Sequence, residues 1–253
     1  MGGGTARRAL VTGGANGIGW AIARALAREG AQVILHDVVG EGAARAAEIG
    51  GLFLQADLAD PEQVVFLAER ALQGGPVDIL VNNAGLQHVA PVEEFPDEAW
   101  QRLIQVMLTA PFQLTKRLLP GMKQKGWGRI VNIASIHGLV ASPYKSAYVS
   151  AKHGLVGFTK TVALEAGGSG VTVNAICPAY VRTRLVERQV AEQARLHGLP
   201  EKDVVERVML EPVPIKRLIE PEEVAGLVLF LVSEAAGAIT GAAYTMDLGW
   251  TAR

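Results

Sequence analysis

Tyr148 and Lys152 stand four residues apart within Ser146–Leu164, a stretch with helical periodicity, so their side chains share one helix face. An ammonium beside a phenol favours the phenolate and lowers a pKa that starts near ~10, which equips the tyrosine for proton transfer. Ser135 follows a predicted strand and can hydrogen-bond a substrate oxygen from the opposite side. Alone, a tyrosine and a lysine at this spacing are usually surface packing. Joined by the upstream serine and a glycine-rich turn near the N-terminus, they become a specific set.

That turn reads Thr12-Gly13-Gly14-Ala15-Asn16-Gly17-Ile18-Gly19 and lies between the first predicted strand and the first predicted helix. Glycines there let the backbone turn tightly and approach a pyrophosphate, whose charge is met by the helix N-terminus. The spacing G-x-x-x-G-x-G departs from the G-x-G-x-x-G fingerprint, and glycine also serves plain turns, so the turn alone is weak evidence. Asp37 strengthens it, because a carboxylate at the end of the second strand accepts hydrogen bonds from an adenosine ribose. The same carboxylate repels a 2′-phosphate, and Asn16 stands where an arginine would grip one. Both features point to NAD rather than NADP.

These side chains need a scaffold, and the chain alternates short apolar runs with helical stretches. The runs are Ala9–Thr12, Gln32–Leu35, Leu52–Gln55, Ile79–Val81, Arg129–Ile133, Thr172–Ile176 and Ala243–Met246. Between them, Ile18–Glu29 carries Ile22, Ala25 and Leu26 on one face, and Pro61–Leu72 opens with Asp60 as N-cap and proline at its first position. Strand alternating with helix predicts an α/β fold, a doubly wound Rossmann-type parallel sheet of about seven strands with helices on both faces. Ile34–Leu35 and Ile79–Val81 are apolar without alternation, as strands covered on both sides should be. With no linker or repeat, residues 1–253 read as a single domain. The segment 183–217 breaks the rhythm, being long, charged and helical, with Gly198 and Pro200 dividing it. It reads equally as a mobile substrate lid or as a plain surface hairpin of helices.

Composition narrows the function. Hydrophobic residues make up 49% and charged residues 19%, the balance of a chain with a large buried core rather than a disordered one. A net charge of -1 excludes wrapping nucleic acid by bulk electrostatics. A lone cysteine, Cys177, excludes an intrachain disulfide, and without a Cys/His cluster no metal site is expected. The N-terminus lacks a secretory apolar core, and the apolar stretch Val224–Val232 is too short to span a bilayer. The expectation is a cytoplasmic protein that meets neither membrane nor nucleic acid.

Taken together, Thr12–Gly19, Asp57, Asn82-Asn83-Ala84-Gly85, Ser135, Tyr148 with Lys152, and Pro178 through Thr183 resemble the short-chain dehydrogenase/reductase family over Arg8–Gly249. The resemblance implies NAD held by Gly13, Asn16, Gly17, Ile18, Gly19 and Asp37, with Asp57 and Leu58 on the adenine. It further implies that Asn83, Ala84 and Gly85 line the cofactor and that Pro178, Val181 and Thr183 hold the carboxamide. Tyr148 is then the acid/base, Ser135 orients the substrate, and Lys152 binds ribose and tunes Tyr148. Met107 is the departure: many members carry an asparagine there for a water-linked proton relay, and a thioether cannot replace its hydrogen bonds.

Polar residues that the general fold does not need describe the substrate. Gln87, His137, Lys145 and, in the candidate lid, Gln189 can converge on an anionic group beside the catalytic hydroxyl, which suits a small carboxylate. Taken singly, each is more readily a solvated or strand-capping side chain. Together with Ala134–Gly138 and Cys177–Val181 the set is similar to the family branch that oxidises D-3-hydroxybutyrate to acetoacetate. The rivals are a 3-oxoacyl-thioester reductase, which would favour a basic residue near Asn16 or Asp37, and a dinucleotide-binding sensor that has lost catalysis. By resemblance alone, the chain is expected to pair through Asp97–Lys125 and Ser146–Ala166 into a homotetramer.

Overall fold

The computed structural model describes residues 6–252 except 185, 188, 189, 191–193, 195–197, 206–208 and 212. Among these, the apolar runs form seven strands: β1 (Arg8–Thr12), β2 (Gln32–Asp37), β3 (Leu52–Gln55), β4 (Ile79–Asn82), β5 (Gly128–Ile133), β6 (Val171–Pro178) and β7 (Ala243–Met246). All pair in parallel, in the order β3-β2-β1-β4-β5-β6-β7. Every residue of β4, β5 and β6 is buried, which accounts for their largely apolar character, while the buried Asn82, Arg129, Asn132 and Asn174 side chains are hydrogen-bonded. Strand ends run up to two residues beyond the sequence expectation, where a polar residue such as Asp37 or Asn82 still pairs in the ladder.

The helices that position the site are α1 (Gly17–Arg28), α2 (Gly42–Glu48), α3 (Pro61–Leu72), α4 (Asp97–Ile104), α5 (Ala110–Lys125), α6 (Ser146–Ala166) and α7 (Pro221–Val232). Ile22 and Leu26 of α1, Ala46 of α2, and Val224 and Val228 of α7 pack on one side of the sheet with Val11, Leu35 and Val131. Val64 and Leu67 of α3, Leu103 of α4, Leu114 and Leu118 of α5, and Ala147 and Ala151 of α6 pack on the other with Leu10, Leu80 and Ile130. The doubly wound arrangement follows. The Asp60 carboxylate accepts the Glu62 N–H at 2.9 Å, the predicted cap for α3, a contribution of about 1 kcal/mol.

Asp97–Lys125 is not one continuous α-helix. Pro111 has no N–H to give the turn before it, and the chain passes from α4 to α5 through a π-helical turn at Gln105–Thr109. The strand order reverses between β1 and β4, and the carboxyl ends of β1, β2, β4, β5 and β6 open onto the crevice there, where such sheets bind ligands. In the 183–217 segment, Val186, Val190, Val204 and Met209 form a small buried cluster with Tyr180 packed against it. Among the described residues no helix is long and apolar enough to cross a membrane, and no group of side chains is arranged to hold a metal ion.

Candidate active site

The crevice is a cleft of about 440 Å³, within the range of small-molecule and cofactor sites. At one end Gly13 and Gly17 adopt left-handed backbone, φ 62° and 52°, which residues bearing a Cβ take up only at a cost. The Asn83 amide donates to Thr12 O and Gly13 O, both at 3.0 Å, and Thr12 Oγ1 accepts the Asn83 and Ala84 N–H groups. The end of β4 therefore braces the turn. No side chain caps the N-terminus of α1, so its N–H groups remain available to an anion. Asp37 accepts the Ala15 N–H at 3.0 Å and the Val38 N–H at 2.8 Å, which seats its carboxylate beside the turn at the mouth of the cleft. This combination of left-handed glycines, an uncapped helix start and an acidic strand end fits a dinucleotide.

Gly19 does not line the cleft. It is buried, and a Cβ built on it would lie 2.1 Å from Gly13 O and 2.5 Å from Asn83 Nδ2. Its glycine is required because the first turn of α1 closes on the loop, a packing demand that stands beside the expected cofactor contact.

At the other end, Ser135 follows β5 and caps a short 3-10 turn, its Oγ accepting the His137 N–H at 3.2 Å. Tyr148 and Lys152 project from α6 into the cleft, with the Lys152 ammonium 5.6 Å from the Tyr148 ring centroid. Lys152 Nζ donates to Ile133 O at 2.7 Å, and burial pushes its pKa down to about 8. Burial raises the Tyr148 phenol above its ordinary value, while its hydrogen bond with Ser135 acts in the opposite sense. Burial is the larger of these effects, so the Tyr148 environment adds a demand on the phenolate that the neighbouring Lys152 ammonium must meet. Met107 is fully buried within the π turn, its sulfur facing Gly85, and does not line the cleft.

Beyond the catalytic side chains the cleft holds buried polar groups with nothing to bond. Both amide atoms of Gln87 and the Nδ1 of His137 lack partners. Lys145 is 6% exposed, and its ammonium lies 5.8 Å from the Tyr180 ring centroid and forms no side-chain hydrogen bond among the described residues. Burial lowers the pKa of Lys145, and burial and then the Lys145 charge push His137 down to about 4, so its imidazole is neutral. Orphaned buried polar atoms of this kind mark where a ligand supplies the missing bonds.

The structure brings every described site residue expected from sequence, apart from Gly19, to this one cleft: Gly13, Asn16, Gly17, Ile18, Asp37, Asp57, Leu58, Asn83, Ala84, Gly85, Gln87, Ser135, His137, Lys145, Tyr148, Lys152, Pro178, Val181 and Thr183. Gln189 lies outside the described residues. Sequence reasoning missed Trp250 and Tyr180, whose rings lie 5.6 Å apart, with Trp250 also 6.0 Å from His137 and edge-on to it. Nothing in the spacing of Asp247-Leu248-Gly249-Trp250 announces that this turn folds back over the cleft. Arg102 was also missed; it reaches Asp57 at 3.4 Å and lines the cleft with Val106. Its i, i+4 relation to Val106 was the available signal.

Comparison with known proteins agrees with this geometry. The family described as "Enoyl-(Acyl carrier protein) reductase" matches residues 13–251. The chain is similar to a "D-beta-hydroxybutyrate dehydrogenase" of Rhizobium meliloti, at 49% identity over 256 residues, 98% of this chain and 99% of the relative. A protein of the same name from Cupriavidus necator is 48% identical over 254 residues, 98% of each chain. Among solved structures, an actinorhodin polyketide ketoreductase with NADPH matches with a TM-score of 0.92 at 35% identity, over 97% of both chains.

Proposed function

The chain belongs to the short-chain dehydrogenase/reductase family, and from that premise we propose that this oxidoreductase converts D-3-hydroxybutyrate, or a closely similar short 3-hydroxy acid, to the 3-keto acid with NAD. Polar atoms with no hydrogen-bond partner among the described residues, the Gln87 amide, His137 Nδ1 and the Lys145 ammonium, carry the reading, because they line the same end of the cleft as Tyr148 and suit a carboxylate. Gln189, in the candidate lid, is assigned to the same carboxylate. The relatives named for the hydroxybutyrate reaction support the substrate class.

The pyrophosphate of the cofactor rests on Gly13, Asn16, Gly17, Ile18 and the start of α1, and the adenosine ribose on Asp37. Asp57 and Leu58 flank the adenine, Asn83, Ala84 and Gly85 line the middle, and Pro178, Val181 and Thr183 take the carboxamide. When bound, NAD supplies the acceptor for the hydride that leaves C3. Ser135 holds the substrate oxygen, and Tyr148 takes the hydroxyl proton. To take that proton Tyr148 acts as the phenolate, its own proton having gone to solvent, and the Lys152 ammonium stabilises that phenolate against the cost of burial. With Met107 in the π turn, no side-chain amide stands at that position to relay the proton onward.

Tyr180 and Trp250 wall the substrate end, and the 183–217 segment, which brings Thr183, Arg184 and Val186 to the cleft, closes over it as a lid. Exposed Trp100 and Phe112 on α4 and α5 and Leu164 on α6, 87% exposed, support association through these helices into a homotetramer. A diffusible dinucleotide and a small acid as reactants place the activity in the cytoplasm on this reading. The test compares kcat/KM for D-3-hydroxybutyrate with NAD against an acetoacetyl thioester with NADPH. A preference for the first supports the proposal, and a preference for the second replaces it with thioester reduction.

A further inference from the structure

Two described residues hold left-handed backbone without being glycine, Tyr144 at φ 66° and Leu248 at φ 57°. Contact between Cβ and the following carbonyl disfavours this conformation, so such residues persist only where the surroundings enforce it. Each stands next to, or two residues from, a side chain that lines the substrate end of the cleft, Lys145 and Trp250. Tyr144 directly precedes Lys145, and its carbonyl accepts the Ala90 N–H at 3.0 Å, in the loop that carries Gln87. Leu248 precedes Trp250 by two residues, and its carbonyl accepts the Ile215 N–H at 3.2 Å, where the chain returns from the helical insertion.

The Tyr144 side chain does not explain its backbone. It is 56% exposed and forms no hydrogen bond among the described residues. What the left-handed turn does is aim the next residue: Lys145 enters α6 with its long side chain buried in the cleft. We propose that Tyr144 is a positioning residue, whose left-handed backbone, pinned by Ala90, swings Lys145 inward to meet an anionic substrate and holds the Lys145 and Gln87 segments in register. Leu248 is its counterpart for Trp250. The proposal rests on the reading of Lys145 as a ligand of the substrate carboxylate.

Tyr144→Val and Tyr144→Asn separate backbone from side chain. Asparagine tolerates the left-handed region, and a β-branched residue is a severe outlier there. The measurements are KM and kcat for D-3-hydroxybutyrate, NADH affinity, and the rate of Lys145 reductive methylation followed by peptide mass spectrometry without substrate. Tyr144→Val should raise KM and speed Lys145 labelling by about tenfold, because β-branching adds to the left-handed penalty that tyrosine already carries. Its kcat and NADH affinity should change much less, and Tyr144→Asn should behave like the parent. If Tyr144→Val fails to bind NADH, Tyr144→Thr, also β-branched, carries the same comparison. Unchanged KM and labelling in the β-branched variant, or equal changes in both variants, overturns the proposal. A protein inert towards D-3-hydroxybutyrate whose Lys145 is unmasked only by the β-branched variant would sink the substrate reading and leave this one standing.

Discussion

Lys145→Met removes the ammonium while leaving an apolar stem of similar length in the cleft. In the folded protein Lys145 is 6% exposed, has no hydrogen-bond partner among the described residues, and its pKa is lowered by burial. A carboxylate arriving beside it therefore gains a charge-assisted hydrogen bond scarcely screened by water, worth about 1.5–3 kcal/mol. The loss in kcat/KM for D-3-hydroxybutyrate should be roughly ten- to a hundredfold. The methyl ester of the same acid offers no charge, so its smaller kcat/KM should hardly move. Stability should respond in the opposite direction. A buried ammonium with no hydrogen bond, offset by the Tyr180 ring at 5.8 Å, opposes folding, so its removal should raise the urea midpoint of the ligand-free protein, a trade of stability for function. Steady-state NADH formation with acid and ester, together with urea titrations of both proteins, makes the test. Equal losses for acid and ester, or a lower urea midpoint in Lys145→Met, would refute the assignment of Lys145 to the carboxylate.

Tyr148→Phe keeps the ring and removes the proton acceptor, so NADH affinity should persist while turnover falls by ~10²-fold or more; turnover near the parent's would mean another group moves the proton. Because the resting Tyr148 phenol lies above its ordinary pKa, hydroxy-acid oxidation should accelerate as pH rises through the alkaline range, and keto-acid reduction, which uses the phenol as acid, should not. Parallel pH profiles for the two directions would contradict this. Asp37→Ala should weaken NAD and relieve repulsion of NADP, narrowing the ratio of their kcat/KM values, whereas an unchanged ratio would remove Asp37 from cofactor choice. His137 has a folded pKa of about 4 against an ordinary 6.5, so the unfolded chain binds its proton first. Its contribution is intact above about pH 6.5 and is lost as pH falls towards 4, at most about 3 kcal/mol. His137→Asn should flatten the acid limb of a urea-midpoint profile; a limb of unchanged slope would show that other groups, His36 among them, dominate.

Strand and helix positions were legible because β4, β5 and β6 are covered on both sides and are apolar at most positions, while α1 and α3 carry apolar stripes at helical spacing. The catalytic set was legible because its members depend on short spacings: Tyr148 with Lys152 on one turn of α6, and the glycines at the end of β1. What escaped depends on long-range return of the chain. Trp250 reaches His137 only because Asp247 accepts the Gly249 and Thr251 N–H groups and curls the C-terminal turn inward. The packing demand at Gly19 was not legible because a glycine needed for backbone contact and one needed for a cofactor look alike in sequence. The upward pull of burial on Tyr148 was not legible because spacing reveals the neighbouring ammonium but not the depth of burial.

The central claim is that the cleft seats a short 3-hydroxy acid by its carboxylate and presents one face of C3 for oxidation. The direct measurement incubates the unmodified protein with NAD and either D- or L-3-hydroxybutyrate, quantifying NADH and acetoacetate together. The account predicts equal amounts of the two products from the D enantiomer and almost none from the L enantiomer. Comparable oxidation of both enantiomers, or of neither while an acetoacetyl thioester is reduced by NADPH, would contradict it.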